Sequence, residues 1–145
     1  MKLAEALAER ADLQKRIEQT RDRLKNNAWV QEGERPAEDP VALEKELAAL
    51  CDELEGLITR INLTNAQASI TGLLARRDVL SIRTAALRDF LDEASRTPVR
   101  AARGEIKILP TVSVPEYRKK ADDLSRELRE LDMRIQQLNW ITDLQ

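Results

Sequence analysis

Apolar residues recur along this chain at intervals of three and four, in four separate blocks. Leu3, Ala6, Leu13, Ile17 and Leu24 fall on the first frame. Leu43, Leu47, Leu50, Leu54, Leu57 and Ile61 form the second. Leu73, Leu80, Leu87, Leu91 and Ala94 form the third, and Tyr117, Ala121, Leu124, Leu128, Leu131, Ile135 and Leu138 the fourth. Such spacing keeps the apolar side chains on one face of a helix, where only other helices can cover them. Helices are predicted over about 3–27, 40–61, 71–95 and 115–140.

The breaks between the blocks carry their own signals. Asn26 and Asn27 end the first helix, because asparagine tolerates the left-handed cap conformation. Asp39 is a good N-cap, and Pro40 suits a first helical position, which has no use for its missing N–H. A polar turn is expected from Asn62, Leu63, Thr64 and Asn65 to Gly72. Pro98 stops the third helix, and Ser113, Val114, Pro115 and Glu116 open the last. Two short segments, about 28–34 and 105–112, have strand-like character, the second from the period-two alternation of Glu105, Ile106, Lys107 and Ile108. Pro110 restricts that segment to a sheet edge.

Four helices of similar length, each with one apolar stripe, predict a mainly α protein. The expected architecture is an up-down-up-down four-helix bundle, a single domain over 1–145 with long antiparallel helices. In that topology the first and third connections share one end. The two strand-like segments can then pair as a short two-stranded β-ribbon there.

Composition narrows the chemistry. The chain has 145 residues and 34% charge, with 24 basic against 26 acidic side chains, so no electrostatic pull toward nucleic acid or an anionic membrane is expected. Histidine is absent, which excludes histidine-based nucleophilic catalysis and histidine-ligated metals. Cys51 is the single cysteine, expected to be half-buried beside the second stripe and inert. Glu5, Glu9 and Arg10 interrupt any apolar signal core, and the uncharged run 61–75 is too short and polar to span a bilayer. A cytoplasmic protein without a cofactor is expected.

Five stretches stand out as words: 27–40 (NAWVQEGERPAEDP), 61–65 (INLTN), 74–80 (LARRDVL), 105–107 (EIK) and 138–144 (LNWITDL). In this order and spacing they resemble a family of small bacterial proteins labelled septicolysin, over the whole chain, with departures at Trp29 and Ile141. The resemblance implies a cytolysin and brings no catalytic residues. Membrane insertion needs an apolar helix or amphipathic hairpin, and the stripes here are accounted for by helix packing.

Polar residues gather at both predicted ends. Glu32, Glu34, Glu38 and Asp39 lie in the first connection and could supply oxygen ligands to a divalent cation. The plainer account is solvation, capping, or pairing with Arg96, Arg100 and Arg103 of the third connection. Asn62, Thr64, Asn65, Arg76, Arg77, Asp78, Asn139 and Trp140 are expected at the opposite end, with Thr142. There the arginines could bind a phosphate or carboxylate near a helix start. The plainer account is interlocked caps, with Asp78 pairing an arginine and Trp140 covering the core. Arg10, Thr20 and Thr84 occupy stripe positions, as register-setting residues or places where a stripe frays. Glu127 and Glu130 share the spacing of a pyrophosphohydrolase motif but fall off the apolar frame, on a charged solvent face.

The function expected from these features is non-catalytic. The chain should self-associate as a homo-oligomer of coiled-coil-like helices, working through protein–protein contacts. Ile58, Leu63, Val79, Phe90 and Ile141 are surplus to one seam, and surplus apolar area marks interfaces. The alternative is a small-molecule or divalent-cation binding protein, or a hydrolase, with a polar site at one end. A membrane-active cytolysin follows only from the family resemblance.

Overall fold

The computed structural model describes residues 1–96 and 106–145. Among these residues there are four helices: α1 (Leu3–Asn26), α2 (Pro40–Gln67), α3 (Ile70–Ala94) and α4 (Val114–Ile141). The chain divides into two compact units, Met1–Ser69 with Gln137–Gln145, and Ile70–Gln136.

In the first unit α1 and α2 run antiparallel. The buried residues of α1 are Leu3, Ala6, Leu13 and Thr20, and those of α2 are Leu43, Leu50, Leu57, Ile61 and Thr64. Most recur every seventh residue, the interval at which two turns of helix return a side chain to the same line. The outward positions between them are charged, so each helix satisfies one neighbour and water. Two frame positions hold threonine. Thr20 and Thr64 are both 1% exposed, and each hydroxyl donates to the carbonyl four residues back, Arg16 and Arg60, at 2.9 and 2.8 Å. That bond removes the cost of burying the hydroxyl. Thr84 on α3 is also buried, with its hydroxyl on the Leu80 carbonyl at 2.7 Å. The stripe therefore does not fray at Thr20 or Thr84.

In the second unit α3 and α4 run antiparallel, which follows from side chains that meet in reverse order. Arg77 meets Asp132, Arg88 meets Asp122, and Phe90 meets Tyr117. Leu80, Thr84 and Leu91 of α3 and Ala121 and Ile135 of α4 are buried.

Two expectations change. The turn predicted across Asn62, Leu63, Thr64 and Asn65 is helix: α2 continues to Gln67 and breaks only at Ala68 and Ser69. Ser69 takes φ of 58°, the left-handed conformation that ends helices, and Gly72 lies within α3. The apolar frame extends to Thr64, whose satisfied hydroxyl lets the helix go on where a polar turn was expected.

The β-ribbon is also absent, since no strand occurs among the described residues. The 28–34 segment is folded by its own turn, in which Glu34 N–H donates to the Gln31 carbonyl at 3.0 Å and Gly33 takes φ of 86°. A positive φ at the third position is what a type II turn requires, and glycine supplies it. In the other segment Glu105 lies outside the described residues. Ile106 lies in a bend and Ile108 and Leu109 in irregular chain without a ladder partner, and Pro110 has no N–H to offer one.

Candidate functional site

The polar words of the first connection build a lock. Arg23 Nε donates to Glu38 Oε2 at 3.0 Å, and Arg23 Nη1 reaches Glu46 Oε1 at 3.2 Å. Asn27 ties the start of the connection to its end, because its Oδ1 accepts from Glu38 N–H at 3.0 Å and its Nδ2 donates to the Arg23 carbonyl at 2.8 Å. Asp39 accepts from Val41 N–H at 3.0 Å and caps α2. The Arg23 hydrogen bonds hold the Glu38 carboxyl below its ordinary range, against an opposing effect of desolvation.

This arrangement does not gather the predicted metal ligands. Glu38 is spent on Arg23 and Asp39 on its cap, while Glu32 and Glu34 are exposed. Among the described residues no three acidic or sulfur side chains come within reach of one ion. Arg96, just past the end of α3, pairs with Glu93 of that helix at 3.1 Å, and Arg100 and Arg103 lie outside the described residues.

The other end of the first unit is a second lock. Leu3 N–H donates to the Thr142 carbonyl and Leu144 N–H to the Met1 carbonyl, both at 2.9 Å, pairing Lys2 with Asp143 in antiparallel fashion. Lys2 Nζ lies 2.7 Å from Asp143 Oδ1, and this contact keeps the Asp143 carboxyl below its ordinary range. Arg60 Nε donates to the Gln145 carbonyl at 2.7 Å, and Gln145 N–H donates to Thr64 Oγ1 at 3.1 Å. Thr64 is thus a fastening for the last residues of the chain. Asn62 is exposed, Asn65 half-buried and Asn139 buried. Trp140 is 63% exposed and does not cover the core.

Arg76, Arg77 and Asp78 belong to the second unit. Arg76 pairs with Glu127 and Arg77 with Asp132 at 3.3 Å, so both arginines already hold carboxylates. Glu127 accordingly reaches α3 from a partly exposed position. Arg77 and Asp78 line an open cleft of about 330 Å³ with Ser81, Leu128 and Asp132.

A larger cleft in this unit escaped the sequence reading. It is about 660 Å³ and is lined by residues that include Leu87, Phe90, Tyr117, Lys120 and Leu124. Phe90 and Tyr117 meet edge to face, with ring centroids 5.6 Å apart, and Lys120 Nζ sits 4.6 Å above the tyrosine ring. The available signal was compositional: the chain's one phenylalanine and one tyrosine lie on adjacent predicted helices.

A family model for proteins of unknown function, DUF6847, matches residues 10–144. The chain belongs to this family. Among solved structures, the crystal structure of a functionally unknown conserved protein from Corynebacterium diphtheriae is similar to this DUF6847 chain. It covers 100% of this chain and 99% of its own length, at 39% identity and a TM-score of 0.86. No curated protein matches the chain. In this DUF6847 chain, Asn27 and Asp39 from the first word hold backbone N–H groups, Glu38 pairs with Arg23 of α1, and Asp143 from the last word pairs with Lys2. Their arrangement fastens the fold.

Proposed function

We propose that this protein acts without catalysis, by associating with further copies of itself through a helix face. The observation that supports the reading is the exposure of large apolar side chains on helices that are otherwise charged outside. Val79 is 65% exposed and Ile82 70% exposed, both on α3. Scattered exposed apolar residues need no explanation, but a row of them on a formed helix marks an interaction surface. The arginines once available for an anion are paired, which weakens the ligand reading at that end. The up-down-up-down order of the four helices belongs to this proposal, since each unit contributes one antiparallel pair.

Light scattering across a roughly hundredfold dilution tests it, with a stable multiple of 16.5 kDa as the expected result. A particle of 16.5 kDa at every concentration overturns it.

A second reading has its own observation. The cleft beside Tyr117 has a volume in the range of small-molecule sites, about 300–1,000 Å³, with an aromatic wall and a lysine. A thermal-shift screen tests it: stabilisation that disappears in Tyr117→Ala supports a ligand there. The membrane-active reading rests on the septicolysin resemblance alone. Among the described residues no helix is long and apolar enough to cross a membrane, and no dye leakage from liposomes is expected.

A further inference from the structure

Helix α3 has apolar residues on two faces, and its own unit covers one of them. Leu80, Thr84 and Leu91 point inward and are buried. Gly72, Ala75, Val79, Ile82 and Ala86 recur at intervals of three and four on another side, and every one is exposed, with Ala86 and the neighbouring Arg83 at the lip of the α3–α4 cleft. This is the spacing of a two-helix seam, and it extends for about 21 Å.

The residues bordering that seam are sorted by charge. Arg76 and Arg83, seven residues apart, lie along one edge, and Asp78 lies on the other. A parallel pair of identical helices related by a two-fold axis sets each edge against the opposite edge of its mate. Asp78 then falls opposite Arg83 of the partner subunit, and the symmetry repeats the pair on the second edge. An antiparallel pair sets like edge against like and would oppose the arginines. Flanking charges fix orientation in this way in two-stranded helical seams.

Both groups are available for the contact. Arg83 makes no ion pair among the described residues, and the contact of Asp78 is a long one, 3.8 Å to Arg77. The helix is already formed by its packing on α4, so association needs no coil-to-helix ordering.

We propose that a second copy of this chain docks on the outer face of α3, forming a parallel two-fold helix pair. Val79 and Ile82 lie at its centre, and Asp78–Arg83 ion pairs close both edges. The inference rests on the self-association reading and names its interface and direction.

Cysteine cross-linking in a Cys51→Ser background tests the direction, because Cys51 is exposed and would otherwise react. In a parallel seam Gly72→Cys and Ala86→Cys each oxidise to a disulfide-linked dimer with itself. An added side chain at Gly72 meets nothing within 4 Å. Efficient cross-linking only when the two variants are mixed would show an antiparallel seam and overturn the proposal.

Charge exchange gives an independent reading. Arg83→Asp should weaken the dimer at least tenfold, the order expected for two opposed carboxylate pairs. Asp78→Arg combined with Arg83→Asp should restore it. Failure of the double variant to recover, with helicity unchanged by circular dichroism, would overturn the ion pair. A wild type that assembles while Ile82→Glu assembles equally well removes this seam and leaves self-association standing. A monomeric wild type removes both.

Discussion

Helices α1 and α3 bury similar stripes and differ on their outer sides. On α1 the exposed positions include Asp12, Lys15, Gln19, Asp22 and Asn26. On α3 they include Val79 and Ile82. Within its own unit each helix has an inner face against a partner helix, so the contrast does not arise from folding within a unit. The outside of α1 is solvated by charge, whereas α3 leaves apolar area in water at a cost of about 25 cal/mol per Å². A fold that can make its outer face polar on one helix has no internal reason to leave it apolar on the other. The difference is what supports the proposal that copies of this chain meet on α3.

The sharpest way to break this contrast lies in two adjacent residues. Leu80→Ala, at a position 7% exposed, should cost about 2–5 kcal/mol by denaturant unfolding. Val79→Ala beside it should stay within about 0.5 kcal/mol when measured dilute, where assembly does not contribute. Equal costs would mean that Val79 is packed within its own unit, and the contrast would fail. Leu13→Ala on α1 should match Leu80→Ala and have no exposed counterpart.

Next in size is the cap of α2. Asp39→Ala should lower stability by about 1 kcal/mol by thermal unfolding, with no change in assembly. Arg23→Ala should also lower the melting temperature and leave the oligomeric state alone. If either dissolved the assembly, the first unit would share in the interface.

Acid should act mainly on the first unit. Glu38 and Asp143 have folded-state pKa values below their unfolded ones. Their contribution is therefore complete above the ordinary carboxylate values of about 4 and is lost as the pH falls through the depressed ones. Thermal melts should show stability declining below about pH 4, and less steeply in a Lys2→Ala, Arg23→Ala double variant. The smallest effect is expected at Ser69. Relief of its left-handed backbone in Ser69→Gly should stabilise by up to about 1 kcal/mol, less the entropy that glycine adds to the unfolded chain. Ser69→Val should destabilise.

Much of the fold was legible because helix periodicity is a local, repeated signal. The ends Asn26, Pro40 and Val114 are marked by residues whose backbone preferences are strong. The α2–α3 junction was misplaced because Asn62 and Asn65 look like turn residues. Tertiary demand overrode them: Ile61 and Thr64 are buried on the frame, and the helix runs past both asparagines. The ribbon failed for a related reason. Alternation at Ile106 and Ile108 records a preference for extended backbone, while a ladder also needs a partner, and Gly33 turns the expected partner on itself.

The polar clusters were located in the sequence but not their partners. Arg23, the hub of the first lock, lies inside α1 and gave no signal, since a helical arginine is ordinary. Cys51 was expected half-buried and is exposed, because its position beside the stripe sits one step outside the helix contact. A thiol reagent should therefore label the native protein.

The central claim is that the outer face of α3 holds copies of this chain together. The most direct test is the light-scattering mass of wild type beside Ile82→Glu, at equal concentrations over a roughly hundredfold range. A multiple of 16.5 kDa for the wild type and 16.5 kDa for a folded Ile82→Glu is the predicted result. The same mass for both proteins would contradict it.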